Sequence, residues 1–229
     1  MNEKNHESKK IVIIVAGGQG KDVLWTIMDI NKISSRFDII GFLDDDKKLH
    51  GKTINRVPVL GGMNWLSNKN KMGCIIAVGD GKIREKIVKK LKNVNVYFPS
   101  IIHPSVIMSD FVTIGKGTII HAGVMIPPDS EIGNFVFINL RSQIGHDCKI
   151  KDFVSIMAGV NVTGETIIEN GAYLGSGVTV ADKIKSGEWS IIGIGSAIGK
   201  DVKPYSLYLG NPGIFIRKIK DEKSRPRLW

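Results

Sequence analysis

A six-residue period runs through the second half of the chain and restricts its fold more than any other feature. Stepping in sixes from Ile102, the positions Met108, Ile114, Ile120, Ile126, Ile132, Ile138, Ile144, Ile150, Ile156, Val162, Ile168, Leu174 and Val180 are all apolar. Ser186 interrupts the series, and Ile192 and Ile198 resume it in register. Four places after these residues stand small or β-branched side chains, as at Val106, Thr118, Ser130, Ser142, Cys148 and Val160. Glycine often follows directly, as at Gly115, Gly133, Gly145, Gly175, Gly193 and Gly199. An amphipathic helix needs a period of about 3.6, and a half-buried strand alternates. Neither template fits. A short fixed period of this kind marks a parallel β-helix. Each hexad supplies a strand and a bend, and three hexads close a triangular coil. Coils stack at the inter-strand spacing of ~4.8 Å. No single coil buries its own apolar residues, so stability comes from stacking.

The first part of the chain reads differently. Ile11 to Val15 is a β-branched run of the type found in a strand buried on both faces. It leads into Ala16-Gly17-Gly18-Gln19-Gly20-Lys21, with apolar residues at helical spacing from Val23 to Met28. A second strand, Ile39 to Leu43, ends in Asp44-Asp45-Asp46, and further strands are expected near 57–60 and 74–78, with a helix over 82–91. This alternation predicts a small Rossmann-like α/β domain over residues 10–98, followed by the β-helix and its tail over 99–229. The glycine turn is not a P-loop, because Asp22 follows Lys21 where Ser or Thr is required. Gly18 and Gly20 match the first two glycines of a dinucleotide fingerprint, but Val23 stands in the third place. What remains is a helix N-terminus able to bind a phosphate through Gly18, Gly20 and Lys21. Asp44 falls where a ribose or base contact belongs, with Asp45 beside it. The alternative is a tight turn next to a solvated acidic loop.

Composition narrows the function. The net charge is +10, with basic residues crowded at the end: Arg217, Lys218, Lys220, Lys223, Arg225 and Arg227. No nucleic-acid module accompanies this charge, so nucleic acid is not expected; a phosphate-bearing small ligand is the expected partner, and a merely solvated basic surface is the alternative. No apolar run reaches the ~20 residues of a membrane helix, and Met1 to Lys10 lacks the apolar core of a secretory signal and reads as a frayed tail. Cys74 and Cys148 fall in different predicted domains, which argues against a disulfide and for a reducing, cytoplasmic setting. Cys148 occupies a small-residue corner and reads as packing.

Three histidines lie in the repeat. His103 and His121 stand one coil apart, with Asn139 one coil further. No third ligand at suitable spacing is evident, so no metal is expected. His103, next to Pro104, reads as an entrance cap. His146 is the stronger candidate for a general base, because an imidazole titrates near neutrality and Asp147 is placed to orient it. A surface histidine beside a surface aspartate is the plain alternative.

The glycine turn, Phe42-Leu43-Asp44-Asp45, Gly145-His146-Asp147-Cys148 and the closing Gly210-Asn211-Pro212-Gly213 occur in this order around the hexads. Together they resemble the sialic-acid O-acetyltransferase and nucleotide-aminosugar N-acetyltransferase family of hexapeptide-repeat acyltransferases, over about residues 10–220. The resemblance implies a left-handed β-helix, a homotrimer, and direct transfer from acetyl-coenzyme A (acetyl-CoA). It implies that His146 is the general base, supported by Asp147 where many relatives have Glu. Asn139 would lie near the acceptor sugar. Gly164, one coil beyond the base, would offer its N–H to the thioester carbonyl, a role worth ~2.7–4 kcal/mol in other acyl transfers. Ser155 stands where some relatives place a histidine near the coenzyme, and Gly193 and Arg217 complete the candidate coenzyme contacts. Gly213 replaces the alanine with which relatives close that last motif. The expected reaction is N-acetylation of the 4-amino group of a nucleotide-linked 4-amino-4,6-dideoxyhexose for surface glycan synthesis. The rival is O-acetylation of sialic acid or a related sugar. A non-catalytic β-solenoid scaffold would bind no coenzyme.

Overall fold

A computed structural model describes residues 9–220 and Pro226. The tail positions Lys223, Arg225 and Arg227 and residues 1–8 lie outside the described residues. Strand β1 (Lys9–Ile14) is the centre of the α/β sheet, because its Ile11 to Ile14 run is buried on both faces. Helix α1 (Gly18–Ile33), β2 (Phe37–Leu43), β3 (Thr53–Ile54), β4 (Val57–Gly61), β5 (Met72–Ile76), α2 (Gly81–Lys90) and β6 (Val96–Tyr97) follow. The strand order is β3-β4-β2-β1-β5-β6, parallel except for the β3–β4 hairpin.

The glycine turn is displaced from its expected place. Gly18 to Gly20 form the first turn of α1, capped by Gly17, and the chain reverses at Val15 instead. Val15 has φ 80, a left-handed conformation that a β-branched residue rarely adopts. Its N–H donates to the Leu43 carbonyl at 2.7 Å. Gly20 is glycine for packing, since a Cβ there would stand 2.1 Å from the Val15 carbonyl oxygen.

From Ile101 the chain forms a left-handed parallel β-helix of seventeen two-residue strands, β7 (Ile101–Ile102) through β23 (Ala197–Ile198). Each pairs in parallel with the strand 18 residues away, as in Ile119↔Phe137, Glu131↔Lys149 and Gln143↔Asn161. The second residue of each strand points inward and builds the core from Ile120 to Ile198. Ser186, the break in the series, also points inward; it is buried with its hydroxyl 3.0 Å from that of Ser190. The strands β24 (Ser206–Leu209) and β25 (Ile214–Lys218) close the last coils.

The prism has three chemically distinct faces. Face one presents Ile101, Ile119, Phe137, Ser155, Tyr173 and Ile191; all six are buried, and the five with large apolar side chains join one cluster with Val23, Leu24 and Ile27 of α1. Face two presents Ile107, Met125, Gln143, Asn161, Thr179 and Ala197, with no charge. Face three presents Thr113, Glu131, Lys149, Ile167 and Lys185, with Lys149 bridging Glu131 at 3.5 Å. The α/β domain therefore sits on face one.

A second contact runs along the corner between faces three and one. There Gly117, Phe135, Phe153, Gly171 and Trp189 recur every coil with φ between 52 and 67. Left-handed backbone costs a bulky residue roughly 1–2 kcal/mol. Packing offsets that cost: the Phe135 and Phe153 rings stack at 5.3 Å, with Phe135 buried beside Ile87 of α2 and Leu91 just after it and Phe153 half-buried against them. The intervening glycines make room. A Cβ on Gly117 would reach within 2.5 Å of Phe135, and one on Gly171 within 2.1 Å of Trp189.

Candidate active site

Two groups of candidate residues form, on different corners of the prism. The first lies in the cleft between the α/β domain and face one. A cavity of about 610 Å³ opens there, lined on one side by Val15, Gly18, Gln19, Val78 and Ile83 and on the other by Asn139, Met157 and Tyr173. A smaller cavity of about 250 Å³ adjoins it, walled by Asp44, Asp45, Met63, Lys86 and Lys90, with Val15 and Ile83 shared between the two.

The α1 N-terminus faces this cleft. The Lys21 N–H closes onto the Gly17 carbonyl, so the first free amides of the helix are those of Gly18, Gln19 and Gly20. Lys21 itself is exposed. Asp44 is engaged differently from the ribose contact expected of it. One carboxylate oxygen accepts from the Ala16 N–H and the other from the Asp46 N–H, both at 2.9 Å. It ties the end of β2 to the start of the glycine segment. Asp45 is exposed and accepts weakly from the Met63 N–H at 3.4 Å. Asn139 is buried, its Oδ1 accepting from the Leu140 N–H at 2.8 Å, which leaves the amide NH₂ to point its donors elsewhere. Gln19 was not singled out by its sequence, yet its Oε1 is buried without a partner.

The second group sits on the corner between faces two and three. His146 and Asp147 are both exposed, and Nδ1 of the histidine lies 2.7 Å from an Asp147 carboxylate oxygen. A carboxylate only accepts, so Nδ1 carries a proton, and in the neutral ring Nε2 presents a lone pair. Asp147 has φ 55, and this left-handed turn lets the short side chain reach back to its neighbour's ring. Gly164 lies against the imidazole: a Cβ there would stand 2.7 Å from Nε2. Its amide neighbours are committed, Thr163 N–H to the Val180 carbonyl and Glu165 N–H to that of His146. Among the described residues the Gly164 N–H has no acceptor.

Two expected coenzyme contacts fall elsewhere. Ser155 is fully buried under the α/β domain, its hydroxyl accepting from Arg84 at 3.0 Å, so it faces no ligand in the chain. Gly193 donates its N–H to the Tyr208 carbonyl and packs beneath Leu209, where a Cβ would clash at 2.0 Å. Arg217 lies on β25, opposite Leu207. His103 binds Asp29 at 3.0 Å and Ser105, and His121 binds Thr26 at 2.9 Å, so both fasten the prism to α1 and its approach. Cys148 is buried with its Sγ 3.2 Å from the Thr163 carbonyl, and burial raises its thiol pKa. Among the described residues no helix is long and apolar enough to cross a membrane.

The PglD N-terminal domain model matches residues 10–91. Three solved structures superpose over nearly the whole chain. The acetyltransferase domain of PglB from Neisseria gonorrhoeae FA1090 is 25% identical with a TM-score of 0.83, covering 91% of this chain and 100% of that one. PerB from Caulobacter crescentus, solved with CoA and GDP-perosamine, is 26% identical with a TM-score of 0.81, covering 91% and 97%. WeeI from Acinetobacter baumannii AYE is 26% identical with a TM-score of 0.79, covering 91% and 100%. The Neisseria domain is also solved with acetyl coenzyme A. A Staphylococcus aureus (strain MRSA252) protein, SAR2635, whose name assigns it to the acetyltransferases, is 53% identical over 36 residues, 18% of its own length. Residues 10–91 thus match a PglD-type N-terminal domain, and the chain shares the fold of these solved acetyltransferases over nine-tenths of its length.

Proposed function

We propose that the chain transfers acetyl from acetyl-CoA to the 4-amino group of a nucleotide-linked 4-amino-4,6-dideoxyhexose, a step in surface glycan synthesis. The observation that carries this reading is the His146–Asp147 pair beside the unspent Gly164 N–H. His146 Nε2 takes the proton from the attacking amine while the new C–N bond forms. The Gly164 N–H steadies the oxyanion of the tetrahedral intermediate. Collapse expels the coenzyme thiol, with His146 returning the proton. Cys148 takes no part. The α1 N-terminus, with Gly18, Gly20 and Lys21, receives the nucleotide phosphates, and the smaller cavity beside Asp44 and Asp45 receives the base and ribose. Asn139 donates to the sugar. The relatives solved with CoA and GDP-perosamine support this assignment of donor and acceptor class.

The two groups occupy different corners of one coil, so a chain cannot bring its own pocket to its own base. A neighbour must complete the site. Face two is the surface suited to that contact, because burying its uncharged column desolvates no ion, unlike face three. A closed ring of three copies, each offering His146 to the next pocket, satisfies both. Arg217 and the basic residues after it would then contribute charge to the coenzyme phosphates.

Thiol release from acetyl-CoA tests the reaction against UDP-, dTDP- and GDP-linked 4-amino sugars and free sialic acid. Rapid release with one amino sugar, lost in His146→Ala, is expected. Release with sialic acid alone would move the assignment to O-acetylation.

A further inference from the structure

Arg84 is among the largest fully buried side chains, 1% exposed, and it lies between the domains. Its Nε donates to the Phe135 carbonyl at 2.9 Å and Nη1 to that of Val78 at 2.7 Å. Nη2 faces the Phe153 and Val154 carbonyls, both at 2.8 Å, and the Ser155 hydroxyl at 3.0 Å. One guanidinium thus joins a loop of the α/β domain to two successive coils of the prism. The acceptors are spread around a plane, and only a planar fork of donors meets them together; an ammonium is a compact point charge. Burial pushes the Arg84 pKa down to about 9, and Asp80 at the α2 N-cap opposes this by favouring the protonated form. Gly81 closes the same seam: a Cβ there would stand 2.2 Å from the Phe153 carbonyl oxygen.

We propose that Arg84 is a positioning residue that holds α2 on the prism corner and so sets the width of the acceptor cleft. Its nearest neighbours form that cleft's wall. Ile83 lines both cavities, and Val78, whose carbonyl Arg84 holds, lines the larger one opposite Asn139 and Met157. Release of Arg84 frees this wall and leaves His146 and Gly164 untouched, because they lie on the far corner. Arg84 therefore governs acceptor binding rather than acyl transfer. The occupant of the cleft is the nucleotide sugar of the function proposed above; the mechanical role of Arg84 stands apart from it.

The test compares the full-length wild type with Arg84→Met and Arg84→Lys. Spin labels at the exposed positions Lys48, on the α/β domain, and Lys149, on face three, report the interdomain distance by pulsed electron resonance without any substrate. With labelled chains diluted into an excess of unlabelled ones, so that only distances within one copy are read, a single narrow distribution is expected in the wild type and a broadened one in Arg84→Met, with Arg84→Lys intermediate. In steady-state kinetics the KM for the nucleotide sugar rises about tenfold in Arg84→Met, while kcat and the KM for acetyl-CoA stay within about threefold. Unchanged distances, or equal losses in kcat and both KM values, would overturn the proposal. If Arg84→Met does not fold, the same two readouts on Arg84→Lys decide it. A wild type that transfers no acetyl group would sink the proposed reaction, and the distance measurement would still judge Arg84.

Discussion

His121 is sealed between α1 and face one, 0% exposed, with one ring nitrogen 2.9 Å from the Thr26 hydroxyl. That hydroxyl donates to the Asp22 carbonyl at 3.1 Å, so the proton in the His121–Thr26 contact belongs to Nδ1. Nε2 is left without a partner. Burial first, and the nearby His103 second, push its pKa from 6.5 down to about 4. The unfolded chain therefore takes up a proton below pH 6.5 that the folded chain refuses until about pH 4. Stability must fall as pH drops through that window, by at most about 3 kcal/mol. Asp29, whose pKa is lowered chiefly by its Lys32 and His103 hydrogen bonds, acts in the same sense, but only at the lower pH where a carboxylate takes up its proton. Urea midpoints at pH 7 and 4.5 check this. The wild type should lose stability between them, and His121→Gln should lose clearly less. Equal losses would mean that other groups set the acid limit.

At the scale of elements, the glycine segment shows why similar residues differ in consequence. A Cβ on Gly20 would strike the Val15 carbonyl oxygen at 2.1 Å, whereas one on Gly18 meets nothing within 4 Å. Gly20→Ala should lift α1 from the β1 end and destabilise by about 2–4 kcal/mol, in line with overpacking of a tight contact. Gly18→Ala, in a helical first turn, should be neutral or gain up to about 1 kcal/mol. Thermal melts of the two variants separate these outcomes, and equal effects would contradict the geometry. The β-helix was legible because its inward residues repeat in register over fourteen hexads. The start of α1 was not, because glycine has poor helix propensity and Gly18 to Gly20 look like loop. Two-residue strands such as β3 and β6 carry no period at all. The same distinction holds for the site. His146 and Asp147 are sequence neighbours, so their contact could be read directly, whereas Ser155 is withdrawn from solvent by Arg84, 71 residues away. Gln19 and Val15 gain their meaning only from the cleft that the two domains enclose.

For the whole molecule, the decisive geometric fact is that the pocket and the base stand on different corners of the same coil. In the proposed trimer each ring contact is heterologous, joining His146 of one copy to the cleft of the next. Two inactive variants should then repair one another. His146→Ala retains the pocket; Gly18→Phe retains the base but fills the open space beside the α1 N-terminus. Co-expression with two different affinity tags, followed by purification on both, selects trimers that contain each variant. Whichever variant is present twice, only one of the three contacts pairs an intact base with an intact pocket. Mixed trimers should therefore recover about a third of wild-type turnover, although neither parent is active. A site built within one chain would recover nothing. Recovery near one half would point to a two-membered ring, and failure to retain both tags would show that the copies do not assemble.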